Sequence, residues 1–161
     1  MVSGYSARQI VLHWIVFVLV AFQFVMGDNM THLFRAAHGG RPADTAPVWT
    51  AIHIVVGLAI LAAMLSRLAL RKIDGVPAPV PQHPAVEFLA NAVHVLLYVD
   101  LIGATLVGLI AYFWLPQLGA LHELMTRQIL LVLVGLHVVG ALYHWVVKHD
   151  GIMTRMIRPA R

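Results

Sequence analysis

Four apolar stretches account for most of this 161-residue chain, each near the roughly 20 residues an α-helix needs to cross the hydrocarbon core of a bilayer. The first covers residues 8–27 (RQIVLHWIVFVLVAFQFVMG) and is closed by Asp28. The second covers 47–70, opened by Pro47 and stopped by Arg71 and Lys72; proline suits a first helical position because its missing N–H would be unpaired there anyway. The third covers 85–114, and the fourth covers 121–147, before Lys148. Between the second and third, GVPAPVPQHP (Gly75 to Pro84) has too many prolines to continue a helix and predicts a short stiff linker. Lipid offers no hydrogen bonds to the backbone, so such stretches must satisfy themselves as helices. The fold predicted is all-α: a transmembrane four-helix bundle, one membrane domain over residues 1–161, with no internal repeat and no separate soluble domain. The first stretch follows no Lys/Arg-rich leader and no small-residue cleavage site, so it is read as a retained helix. Composition agrees: 60% apolar and 11% charged residues, against about half and about a quarter in soluble chains.

Orientation follows from the basic residues. Arg8, Arg67, Arg71, Lys72, Lys148, Arg155, Arg158 and Arg161 fall at one end of the bundle, whereas the opposite end has Arg35, Arg41 and Arg127. The positive-inside rule places both termini in the cytoplasm. The tryptophans agree with it, Trp14 and Trp145 near the inner interface, Trp49 and Trp114 near the outer one. Because the cations mark helix ends and form no patch interleaved with aromatics, nucleic acid is not expected as a partner. Membrane lipid is, and self-association into a homo-oligomer stays open.

Within these stretches stand His13, His53, His94, His137 and His144, with His122 at the mouth of the fourth. Each polar residue in a membrane span carries an insertion cost, and the commonest reason to carry several imidazoles is to hold a metal or a haem iron. The chain has no cysteine, which removes thiolate-ligated haem, iron–sulfur clusters, covalent c-type haem and disulfides. A haem held by two histidines needs ligands from different helices at similar depth. His13 lies about a turn and a half from the inner end of the first helix, and His53 about as far from the outer end of the second. On the fourth, His122 and His137 are 15 residues apart, roughly 22 Å in depth and about 60° in direction. His53 with His122 satisfies the requirement near the outer face. For His13 two partners are open, His144 at matching depth and His137 some turns deeper. A zinc enzyme is disfavoured because His122-Glu123 is not part of a His-Glu-x-x-His pattern. A transporter is disfavoured because no span is broken by Gly or Pro at mid-membrane. The loop histidines His32, His38, His83 and His149 read as solvated.

YSARQIVLHW around His13, AIHIVVG at Ala51 to Gly57, HVLLY at His94 to Tyr98, HELM at His122 to Met125 and GLHVVGALYHW at Gly135 to Trp145 together resemble the prokaryotic cytochrome b561 family, related to the cytochrome b subunits of nickel hydrogenases and formate dehydrogenases. The resemblance covers nearly the whole chain. It implies a bacterial inner-membrane cytochrome with two haem b groups that exchanges electrons with ubiquinone, and it is nearest to the superoxide oxidase branch, which takes electrons from superoxide on the periplasmic side. It also implies His13 with His137 for the inner haem and His53 with His122 for the outer one. His94 and His144 are left as alternative ligands or quinone contacts, with Arg67, Arg71 and Tyr98 near them in depth. Arg35, Arg41 and Arg127 are candidates for steering superoxide, offset by Asp28, Asp44 and Glu123. The alternative is a non-catalytic haem-bearing anchor and electron conduit for a partner dehydrogenase or periplasmic redox protein, docked on the apolar YFWLPQLGALHE loop. The chain departs from the family pattern twice. Its His122 to His137 spacing is one residue longer, which calls for an irregular first turn or a bulge. Asp100 also stands mid-helix where the pattern is apolar; it could be protonated and hydrogen-bonded, pair with Arg127 or serve proton delivery to a reduced quinone, and the structural pairing is the one expected.

Overall fold

The computed structural model describes residues 4–38 and 47–159, with side chains described for 4–27 and 48–159. Three long helices come first: α1 (Ala7–His38), α2 (Pro47–Ile73) and α3 (Pro84–Phe113). The fourth span, Pro116–Lys148, is built from a 3-10 turn at Pro116–Leu118, then α4 (Gly119–Leu124), a π-helical turn at Met125–Ile129, α5 (Leu130–Tyr143) and a second π turn at His144–Lys148. A short α6 (Ile152–Arg155) follows. No strand occurs among the described residues.

The start of α1 is fixed by a reciprocal cap. The Gln9 N–H donates to Ser6 Oγ at 3.3 Å, and the Ser6 N–H donates to Gln9 Oε1 at 2.9 Å, which is the capping box written in the sequence as Ser-x-x-Gln. The same residues dock α1 on the end of α2: Gln9 Nε2 donates to the Leu70 and Gly75 carbonyls, and Asp74 accepts from Ser6 Oγ and Arg8, each at 2.6 Å. Asp28 does not end α1. The apolar span stops at Gly27, but the residues after it include no glycine or proline before Gly39, so the hydrogen-bond ladder runs on to His38 where the hydropathy does not. The Gly75 to His83 stretch is non-helical, as its prolines require. His83, expected to be idle, caps α3 by accepting from the Ala85 N–H at 3.3 Å, with Pro84 in the first turn.

The helices pack in chain order, α1 on α2, α2 on α3 and α3 on the fourth span. Trp14 Nε1 donates to the Met156 carbonyl at 2.9 Å, so the described terminal segments share one end of the bundle. At mid-height Val16, Val20, Ile60, Ala63, Met64, Leu101 and Leu130 form one apolar cluster drawn from all four spans. At most 22% of the most apolar window of any span is buried within the bundle. Such an apolar surface is stable only against lipid tails, and the four helices are long and apolar enough to cross a membrane.

Asp100 belongs to the interior of α3 at 5% exposure, and its Oδ2 is buried without a hydrogen-bond partner. The expected pairing with Arg127 does not form. Arg127 is exposed and has another interaction.

Candidate functional site

The histidines gather at two levels, one above and one below the apolar cluster. At the end away from the termini, His53 of α2 faces His122 of α4 with ring centres 6.0 Å apart and planes at 86°. A cavity of about 290 Å³ lies there, lined among others by Gln23, His53, Gly57, Thr105, His122 and Thr126. His122 Nδ1 lies 2.8 Å from the Ala104 carbonyl. A carbonyl only accepts, so Nδ1 carries the hydrogen and Nε2 keeps its lone pair, the tautomer a metal ligand needs. The ring reaches this position because residue 108 is glycine: a Cβ there would stand 2.7 Å from His122 Cε1 and 2.9 Å from Nδ1. Gln23 Nε2 donates to the His53 carbonyl at 2.9 Å, while Gln23 Oε1 and His53 Nδ1 are buried without partners. Orphaned polar atoms beside a cavity mark a place built for something other than protein.

At the termini end, His13 of α1 faces His137 of α5, also with ring centres 6.0 Å apart, at 60°. His94 of α3 lies closer to His137, at 5.1 Å and 84°, with its Nδ1 2.6 Å from the Ala90 carbonyl. Arg67 of α2 donates from Nη1 to the Gln9 carbonyl at 3.2 Å, and its Cζ is 6.0 Å from the centre of the Tyr98 ring. His144 is turned away from this group. Its Nδ1 is 2.5 Å from Asp150 Oδ2, and Asp150 Oδ1 accepts from the Ile152 N–H at 3.2 Å. The matching depth of His13 and His144 therefore does not bring them together; the turn at the end of the fourth span takes His144 to Asp150 instead. Arg71 is exposed, and its side chain makes no hydrogen bond or ion pair among the described residues.

Ring separation tests whether these residues suit an iron. A metal between two imidazoles, with bonds of about 2 Å and about 1 Å from each nitrogen to its ring centre, sets the centres about 6 Å apart. Both cross-helix pairs meet this, and the 5.1 Å of His94 to His137 is too short. Each of these two couples has the spacing that a bis-histidine iron would need.

Of the steering residues, Arg127 lines the outer cavity together with Glu123. The side chains of Asp28, His32, Arg35 and His38 lie outside the described residues, as do Arg41, Asp44 and Arg161 altogether. Reading the sequence overlooked Gln9, Gln23 and Gly108. Ser6-x-x-Gln9 was a legible cap, and glycine in a long helix hints at a close approach, but nothing in a sequence marks Ala104, which acts through its carbonyl.

The chain matches the family described as prokaryotic cytochrome b561 over residues 4–159. It is similar to cytochrome b562 of Cereibacter sphaeroides, with 31% identity over 156 residues covering 97% of this chain and 96% of that protein. It is also similar to a protein of Yersinia pestis named probable superoxide oxidase CybB, with 27% identity over 180 residues covering 98% and 97%. No solved structure matches the chain.

Proposed function

This chain belongs to the prokaryotic cytochrome b561 family of membrane cytochromes, which bind b-type haem, and we propose that it moves electrons across the bacterial inner membrane from superoxide on the periplasmic side to ubiquinone. The observation that carries this reading is the pair of cross-helix histidine couples, each 6.0 Å between ring centres, on opposite sides of an apolar core. In this reading His53 and His122 hold one haem near the periplasmic face, His13 and His137 hold the second near the cytoplasmic face, and both termini are cytoplasmic. A haem bound by each couple would supply a one-electron iron couple.

The protein's own contribution is positioning and environment. The Ala104 carbonyl fixes the His122 tautomer, and Gly108 makes room for its ring. The mid-height cluster of Val16, Val20, Ile60, Met64, Leu101 and Leu130 keeps water out between the two levels. Arg127 at the outer cavity gives an approaching anion a favourable charge. His94 is exposed beside His137, which supports it as a contact for ubiquinone arriving from the lipid. Two superoxide ions yield two molecules of dioxygen, and the quinone takes up two electrons with two protons from the cytoplasmic side.

A second reading has its own support. Phe113 and Trp114 are 57% and 70% exposed at the turn between α3 and the fourth span, an apolar rim suited to docking a periplasmic redox partner, which would make the chain a conduit. Purified protein exposed to a superoxide-generating system decides between them. Rapid haem reduction, reversed by ubiquinone, is the expected result; no reduction under superoxide flux would sink the oxidase reading and favour the conduit.

A further inference from the structure

Arg67 sits inside a membrane span, six residues before the end of α2, and is half-buried. A guanidinium keeps its charge at any accessible pH and has five donors. One of them is used on the Gln9 carbonyl, and the Tyr98 ring lies at the outer limit of a cation–π contact. Neither neutralises the charge. No carboxylate lies within ion-pair distance among the described residues, and two that stand at this end are already engaged, Asp74 by Ser6 and Arg8 and Asp150 by His144. A half-buried guanidinium in a membrane span favours an anionic partner.

The position of the guanidinium says which anion. The Gln9 carbonyl it grips is one helical turn before His13. We propose that Arg67 binds a propionate carboxylate of the haem held between His13 and His137, an inference that rests on the two-haem reading. Haem b carries two propionates that share the desolvation problem of the guanidinium, and the planar fork of arginine matches a carboxylate with two parallel hydrogen bonds. In this role Arg67 is a binding and tuning residue. It anchors the porphyrin edge and, by cancelling a negative charge beside the iron, favours the reduced state.

Three readouts test this on the purified protein: haem count by pyridine haemochrome, potentiometric titration at several pH values, and reconstitution of haem-depleted protein with haem b or with its dimethyl ester, which lacks both charges. Arg67→Gln should leave the His53/His122 haem unchanged and make the other about tenfold harder to reduce, a potential lower by about 59 mV for one electron. Its potential should also become pH-dependent as the released propionate titrates, and Arg67→Lys should recover most of the wild-type value. Wild-type protein should prefer haem b over the ester at this level by about tenfold, and Arg67→Gln should lose that preference. If Arg67→Gln fails to accumulate, the ester comparison in wild type and Arg67→Lys carries the test, and equal binding of acid and ester overturns the inference. Two haems with unchanged potentials and unchanged ester preference in Arg67→Gln would overturn this inference and leave the two-haem reading standing. So would an Arg67-dependent stabilisation by phosphatidylglycerol vesicles with no haem response, which would assign the guanidinium to a lipid phosphate. Protein that binds no haem at all would overturn both.

Discussion

His122 owes its position to two neighbours with almost no side chain. Ala104 offers a carbonyl to Nδ1, and Gly108 leaves the space in which the ring stands. Gly108→Ala would set a methyl 2.7 Å from His122 Cε1, and because the ring is held at Nδ1 it cannot swing aside without breaking its hydrogen bond. The substitution should abolish haem binding at the His53/His122 level and spare the His13/His137 level, as measured by haem content per chain. Such dependence explains how much of the site was legible at this scale. The histidines announce themselves because imidazole in an apolar run is costly, whereas the groups that orient them act through backbone and empty space. Asp100 is the opposite case, conspicuous in sequence yet without the partner expected of it. Asn has nearly the shape of the carboxyl and carries no charge. Asp100→Asn should therefore leave quinone reduction and haem spectra close to wild type; a large loss of turnover with normal spectra would instead place Asp100 on a proton route.

The element that decides whether two levels can exist is the fourth span, since it supplies a histidine to each. Fifteen residues separate His122 from His137, and the π turn at Met125–Ile129 between them takes up one residue, as a single-residue insertion in an α-helix does. The spacing called for an irregular first turn or a bulge, and a π turn lies between the two histidines. Deleting Gln128, which is exposed, should let the span close into a regular helix and retain both haems. Adding an alanine after Gln128 should turn His122 by about 100° relative to His137 and lose one haem; visible spectra of the two variants separate these outcomes. The reach of α1 was not legible in the same way. Hydropathy reports where a span leaves the lipid, and helicity past Gly27 depends on the absence of breakers, a different property of the same residues.

Among the described residues, a set of polar ties holds the termini end together. Asp74 holds Ser6 and Arg8, Trp14 holds the Met156 carbonyl, Arg155 donates to the Ala78 carbonyl at 2.8 Å and Asp150 holds His144. Burial alone would raise the Asp150 carboxyl, but hydrogen bonds from His144 and the Ile152 N–H outweigh it and hold the group below the ordinary 3.8. The unfolded chain then takes up a proton at a pH where the folded chain does not, so this tie stabilises fully above 3.8 and fades as pH falls through the lowered folded value. Thermal unfolding in detergent should show Asp150→Asn less stable than wild type by on the order of 1 kcal/mol at pH near 6, with the difference shrinking as pH falls below 3.8. Architecture at this scale was the most legible, because lipid admits few solutions for four apolar stretches with a basic end. The partner of His13 was not, since depth along a helix says nothing of direction, and His144 proved to be engaged by Asp150. The central claim is two haems, one per histidine couple, and a reduced-minus-oxidised spectrum with a pyridine haemochrome count on wild type and single His→Ala variants tests it most directly. The account predicts two low-spin b haems per chain, with His13, His53, His122 and His137 each costing one when replaced and His94 and His144 costing none. A single haem per chain, or a haem lost with His144→Ala and kept with His137→Ala, would contradict it.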